Sequence, residues 1–461
     1  MNSSTNGKTI AIANEGQDFS VFANSLASYQ RPRGKSLEER ASGFYGWQDH
    51  LRHRGLWFYS RSLDRQPGPT TDIRSDSGQQ FTGINFASQD YLGLAGHVKV
   101  NEAAIDALNR FGPHSAGSPV LLGNTTLSLQ LEEQISEVLQ MPEVVLFPTG
   151  WAAGFGAIVG LVRPYDHIVM DKLAHACLQQ GAYAATKKIH RTEHLSVSAI
   201  RERLQAIRDK DSSNMILVIT EGLFSMDADM PDIAAIQEVC RQQDAILMVD
   251  IAHDFGAMGP GGTGTLGSQN MLGQVDLVMG SFSKTFASNG GFVAVKSPAI
   301  KQYMKFYGGP HVFSNALSPV QCAIVSAALD IMRSPEGNAR RDQLVRVAQA
   351  LRNTLSDRGI SCLGVPSPII PVVVGEERVA AISSKMIAER GVLANMVEFP
   401  AVPVGRARFR MQAMATHTIE QAQQAAAIVA DAVHFAASVL GNGHNGVYNV
   451  HLTQQPEASS V

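Results

Sequence analysis

Cysteine is scarce in this chain. Only four occur in 461 residues, at Cys177, Cys240, Cys322 and Cys362. They lie far apart and form no CxxC pair, which excludes a disulfide framework and suits a reducing compartment. Long apolar runs are missing too: none reaches the roughly 18–20 residues that span a bilayer. The opening stretch MNSSTNGKTIAIANEG is polar and lacks the hydrophobic segment of a secretory signal. Charge is thin and balanced, with 17% charged residues and a formal net charge of −3, which argues against nucleic acid as the main partner. A soluble, cytoplasmic protein is expected, with no nucleic-acid partner, no membrane span and no metal. What the chain has is apolar content, 44% of a length sufficient for two or three domains and a large core.

The pattern changes twice along the chain. Residues 1–90 read as an N-terminal arm and helix. Within them ERASGFYGWQDHLRHRGLWFYSRSL is amphipathic and aromatic, and DRQPGPTTDIRSDSGQQ reads as a turn region. The amphipathic helix either docks on a partner subunit, covers a site or simply packs on its own domain. Residues 91–335 alternate helical runs with seven short apolar ones, EVVLFP, HIVMD, KKIHR, NMILVITE, AILMVD, VDLVMGS and GGFVAVK. That alternation predicts a large α/β domain around a mainly parallel seven-stranded sheet. Residues 336–440 read as a smaller α+β C-terminal domain, and 441–461 as a disordered tail.

Several strands end in a polar residue: Asp171, Glu221, Asp250 and Ser281. Open α/β sheets bind ligands outside the carboxyl ends of their strands, so these residues point to one crevice. The stretch GSFSKTFASNGGFVAV adds Lys284 just past a strand, among small and hydroxylated neighbours. A desolvated lysine has a lowered pKa and can form a Schiff base. Asp250 lies 34 residues earlier, one helix and one strand away, and His253 follows it. A strand-end carboxylate suits the task of keeping a pyridine nitrogen protonated. FPTGWAAGFGAIVG places Gly150 and Trp151 at a helix N-terminus, an anion site with no GK[ST] signature. DKLAHACLQQG supplies His175, whose flat ring can stack on an aromatic cofactor.

In that order these features resemble the fold-type I pyridoxal-phosphate enzymes, and more narrowly the α-oxoamine synthase family. Seven collinear motifs carry the resemblance from about residue 44 to 440: NFASQDYLGLAGH, HACLQQGA, VITEGLFSMDADMPDI, MVDIAHDFGAMG, GSFSKTFASNGGF, VFSNALSP and GRARFRMQAMATHT. The resemblance implies a PLP-dependent transferase whose large domain binds pyridoxal 5'-phosphate. Lys284 would hold the cofactor covalently and move protons, and Asp250 would pair with the ring nitrogen. His253 and Ser225 would lie near the ring hydroxyl, and His175 would stack on the ring. Thr149, Gly150, Trp151 and Ser281 would hold the phosphate. Ser314 and Asn315 would reach the phosphate of a neighbouring subunit, which implies a homodimer with shared active sites. Arg410 would clamp the amino-acid carboxylate, and Gln89 would lie in the substrate site.

The implied reaction is decarboxylative condensation of glycine, alanine or serine with an acyl-CoA or acyl-carrier-protein thioester, giving an α-amino ketone. Two other readings stay open: an aldolase or lyase on the same scaffold, and a non-catalytic partner subunit. The chain departs from the family pattern at Gln89 (usually Asn), Pro119 (often Arg), Ser128 (usually His), Trp151 (usually Phe), Cys177 (usually Ser) and Ala287 (usually Gly). Substrate identity is where these departures bear.

Overall fold

The computed structural model describes residues 22–441; the expected tail lies outside them apart from its first residue. Near the N-terminus, helix Leu37–His53 is capped by Ser36, whose side chain accepts from the Glu39 amide. Its aromatics pack on one another. Trp47 stacks on Tyr29 at 5.3 Å, and Trp57 meets Phe44 and Trp47 edge-on.

The segment read as turns contains strands. β1 (Ser62–Leu63), β2 (Thr70–Arg74) and β3 (Gln80–Asn85) form an antiparallel set. Only residues 75–79 make the tight turn, with Gly78 at φ +88. The Pro, Gly and Asp residues around them mask a short alternating strand whose Thr71 and Ile73 face inward.

Seven strands follow: β4 (Glu143–Phe147), β5 (His167–Asp171), β6 (Ile189–Thr192), β7 (Ile216–Glu221), β8 (Ile246–Asp250), β9 (Leu277–Ser281) and β10 (Gly291–Val295). They form one sheet in the order β4-β10-β9-β8-β7-β5-β6. β10 runs antiparallel to both neighbours and every other pair is parallel. Strands buried on both faces need no polar alternation, and here alternation sorts the apolar side chains into two cores. Val169, Val218, Leu247, Val249 and Val278 enter one; Ile168, Met170, Leu217, Ile219, Met248 and Met279 enter the other. Each such burial contributes about 1.5–3 kcal/mol, and a one-residue slip would exchange the faces. The register therefore fixes which residues reach the strand ends.

Beyond residue 335 come β11 (Ile369–Gly375), β12 (Val392–Leu393), β13 (Asn395–Val397) and β14 (Ala407–Gln412), with β14 central in the sheet β11-β14-β13. β12 instead pairs in parallel with β3, so strands more than 300 residues apart share a sheet — a count that follows from Val392 opposite Ile84. Helix Ile419–Gly441 is long and apolar enough to cross a membrane by length and composition. Its Ala422, Ala426, Val429 and Ala436 are buried against helices Pro335–Asp357 and Glu377–Glu389, as in a core helix.

Candidate active site

The carboxyl ends of β7, β8 and β9 lie side by side, with Glu221 opposite Asp250 and Asp250 opposite Met279. Asp250 is buried and its Oδ1 accepts from the Ala252 amide at 2.9 Å. Burial pushes both the Asp250 and Glu221 carboxyls up; the Asp250 charge adds to the rise at Glu221, and Asp254 adds to that at Asp250. Glu221 Oε1 accepts from the His175 amide at 2.6 Å, which anchors the start of helix Ala176–Ala185. Lys284 faces these carboxylates. Burial lowers its pKa, Asp250 opposes that, and Arg410 adds to it.

His175 and His253 flank the lysine. Burial, then the charges of Lys284 and Arg410, hold His175 down at about 4 and His253 well below its ordinary value. His175 Nδ1 lies 3.0 Å from Cys177 Sγ and 3.3 Å from the Cys177 amide, and its ring meets Trp151 edge-on. His253 Nδ1 is 2.8 Å from the Tyr91 hydroxyl, which also donates to Gln412 Oε1 at 3.3 Å. Tyr91 and Gln412 are fully buried. Sequence reasoning missed both. Tyr91 sat inside the quoted DYLGL motif, but its contact with His253 spans 162 residues. Glu221 was visible as a strand end, though its hold on His175 was not.

The phosphate-type turn is built as its sequence suggests. Thr149 caps helix Gly150–Leu161, its Oγ1 accepting from the Ala152 amide at 3.0 Å. The first amides of a helix, here Gly150 and Trp151, have no intrahelical acceptor and carry the positive end of the dipole. A Cβ on Gly150 would come within 2.5 Å of the Ser281 side chain, so glycine lets the turn close on β9. A Cβ on Gly291 would meet Gly150 Cα at 2.7 Å, which is why the returning strand begins with glycine. Ser281 Oγ lies 3.1 Å from Ser283 Oγ.

Arg406, Arg408 and Arg410 separate. Arg406 is exposed. Arg408 pairs with Asp227 and the Met226 carbonyl. Arg410 keeps Nε and Nη2 buried with no hydrogen-bond partner. Its charge bears on Lys284, His175, His253 and Tyr91 alike. A half-buried guanidinium with two shielded, unused donors suits a carboxylate ligand. Gln89 and Lys284 line one cavity of about 470 Å³. Ser225 is buried in the loop after β7. Ser314 and Asn315 follow an 89% exposed Phe313, and Ser314 donates to the Pro310 carbonyl.

These residues fit pyridoxal phosphate. The donor set is an anion-binding turn, a flat ring, a buried acid and a low-pKa amine, and the glycine cradle would be filled by any side chain. In the cluster His194, Asp227 and Asp229, both ring nitrogens of His194 are already engaged, Nδ1 with Asp171 at 2.9 Å and Nε2 with Asp229 at 3.0 Å; burial acts against its charge, but these hydrogen bonds prevail and raise its pKa to about 10.

Two departures acquire local reasons. Ser128 completes a capping box with Thr125 at the start of helix Thr126–Leu139. Ala287 holds φ +52, a left-handed conformation that suits the glycine usual there. Ala287→Gly should therefore raise unfolding free energy by about 0.5–1 kcal/mol, read by denaturant titration of the holoenzyme. Equal or lower stability would show that lost Cβ packing outweighs the relieved strain.

The aminotransferase class I and II family matches residues 82–429. The serine palmitoyltransferase of Sphingobacterium spiritivorum is 32% identical over 394 residues, 85% of this chain and 95% of that protein. The 8-amino-7-oxononanoate synthase of Geobacter sulfurreducens is 32% identical over 385 residues, 84% of this chain and 96% of that one. A solved serine palmitoyltransferase with PLP superposes with a TM-score of 0.81 at 25% identity, covering 87% of this chain and all of that one. With the strand-end lysine, acid and anion-binding turn already in place, these likenesses make the chain a member of the aminotransferase class I and II family, a fold-type I PLP enzyme of the α-oxoamine synthase group.

Proposed function

We propose that the protein condenses a small amino acid, glycine, alanine or serine, with an acyl thioester. The amino acid's carboxylate leaves as carbon dioxide, the thiol is released, and an α-amino ketone remains. Pyridoxal phosphate, when bound, supplies an electron sink that stabilises a carbanion at the amino acid's α-carbon. Thr149, Gly150, Trp151 and Ser281 would hold its phosphate, His175 its ring face, and Asp250 its protonated ring nitrogen, with His253 and Ser225 near the ring hydroxyl. Lys284 Nζ, its pKa lowered by burial, would take and return the α-proton. Gln89, which lines the lysine cavity, would meet the substrate there.

The observation that carries this reading is Arg410, a half-buried residue whose shielded Nε and Nη2 have no hydrogen-bond partner and whose charge bears on Lys284. It would hold the carboxylate that must depart, and so orient the bond that breaks. Arg410→Lys keeps the charge and loses the planar fork. Amino-acid binding should weaken about 10- to 150-fold, from a lost charge-assisted bond of roughly 1.5–3 kcal/mol, with cofactor affinity unchanged. An effect confined to the thioester's KM would move Arg410 to the acyl-donor site. Release of free thiol and carbon dioxide in equal amounts from an acyl thioester separates condensation from aldolase or lyase chemistry.

Two exposed leucines, Leu121 and Leu122, accompany Phe313 in support of a homodimer. Their loops are tied together by the Ser118 hydroxyl donating to the Val312 carbonyl at 2.7 Å and the Ala316 amide donating to Gly117 at 3.0 Å. In that dimer Ser314 and Asn315 would complete the partner's phosphate site. Four free cysteines support a cytoplasmic setting. We keep residues 91–335 and 336–440 as the large and small domains, with residues 1–90 as the arm and helix.

A further inference from the structure

The first turn of helix Ala176–Ala185 sets a histidine and a cysteine against each other. His175 caps that helix, its Nδ1 accepting from the Cys177 amide at 3.3 Å. An amide nitrogen can only donate, so Nδ1 presents a lone pair there and the neutral ring carries its proton on Nε2. Cys177 Sγ lies 3.0 Å from the same Nδ1. Against a bare nitrogen the thiol has one role, to donate its S–H. Burial pushes the Cys177 pKa up, and the charges of Asp250 and Glu221 add to the rise, so the sulfur keeps that proton. His175, held down at about 4 first by burial, is neutral near neutral pH.

The thiol is confined to this contact. Cys177 is buried, and among the described residues its S–H has no other acceptor. A Cβ on Gly154 would come within 2.8 Å of Sγ, so glycine in the neighbouring helix leaves the sulfur its place. The histidine is held from two further sides. Glu221 accepts from its amide, and the Trp151 ring meets its ring at 6.1 Å. Nε2, at the ring's other edge, has no hydrogen-bond partner among the described residues.

We propose that Cys177 is a positioning residue whose thiol locks His175 as the Nε2–H tautomer. The free edge of the ring can then donate a hydrogen bond to the reacting molecule but cannot accept the α-proton. His175 is thereby removed as a rival base, and the proton falls to Lys284. A hydroxyl donates as a thiol does, so the cysteine that stands in place of the usual serine keeps a donor at Nδ1. The assignment of the proton to Lys284 rests on the condensation reading; the tautomer does not.

Ring 15N spectra of the full-length holoenzyme, labelled at histidine, read the tautomer without turnover. His175 is assigned by the signals missing from His175→Gln. Wild-type protein should show Nδ1 bare and Nε2 protonated. Cys177→Ala should lower the ratio of Nε2–H to Nδ1–H forms about 2- to 10-fold, the worth of one neutral hydrogen bond, and Cys177→Ser should restore it. A proton on Nδ1 in wild type, or a Cys177→Ala ring that matches wild type, overturns the lock. Should Cys177→Ala not fold, Cys177→Val, which also lacks a donor, takes its place, and the wild-type spectrum can still overturn the lock alone.

A double-mutant cycle separates positioning from packing. Cys177→Ala should lower kcat about 2- to 10-fold in the wild-type background and less than about twofold in His175→Gln, because the loss passes through the histidine. An equal fractional loss in both backgrounds makes Cys177 a packing residue and overturns the proposal. If no amino acid and thioester turn over, the condensation reading fails, and the spectra still decide the tautomer.

Discussion

A Lys284→Ala protein is expected to fold, to bind cofactor only reversibly, and to lose at least about 10²- to 10⁴-fold in turnover, the usual worth of a positioned proton-transfer group. The fold should survive because burial disfavours the Lys284 ammonium where it stands, so its removal relieves a cost. Borohydride treatment of wild-type holoenzyme should fix the cofactor to the peptide carrying Lys284, and the variant should carry no such mark. A mark of equal yield on another lysine would remove Lys284 from its role.

The second large effect is expected at Asp250. Asp250→Asn keeps the shape and removes the carboxylate that a protonated ring nitrogen needs. Breaking a buried charge pair costs about 3–5 kcal/mol, so turnover should fall by roughly 10²- to 10³-fold or more. Stability of the cofactor-free protein should move the other way. Burial raises the Asp250 carboxyl in the folded state, so the folded protein binds more protons than the unfolded chain in the window above the ordinary carboxylate range near 4. Its contribution is present below that range and is lost as pH rises through the folded pKa. The apo variant should therefore lose less stability than wild type as pH rises from about 4 to 7. A wild-type-like pH slope in the variant would show that Glu221, not Asp250, carries the repulsion.

Much of this site was legible because strand ends are legible. An apolar run that stops at Asp250 or at Ser281 announces a polar residue at the sheet's edge, and helix N-termini announce their caps. Gly150 does open a helix, as the stretch FPTGW suggested, with Thr149 as its cap, whereas the close approach of Gly150 to Ser281 and of Gly291 to Gly150 shows only in the structure. Long-range partners were not legible. Nothing local in DYLGL says that Tyr91 meets His253, or in RARFR that Arg408 finds Asp227 while Arg410 keeps unused donors. The β2–β3 hairpin was hidden by its composition, since Pro, Gly and Asp mark turns more strongly than two inward side chains mark a strand.

The parallel pairing of β3 with β12 has a consequence in time. Val392 emerges about 300 residues after Ile84, which at roughly 5–20 residues per second is about 15–60 s of synthesis. Throughout that interval the early hairpin has an open edge. Asn395, Arg410 and Gln412 do not yet exist, so the hydrogen bonds that Asn395 and Gln412 donate to the Ala87 carbonyl cannot form. A nascent chain can thus assemble its seven-stranded sheet and the Thr149-capped helix start while the Arg410 proposed to hold the amino acid is still unmade, so that on this reading recognition would be acquired only in the last stretch of translation.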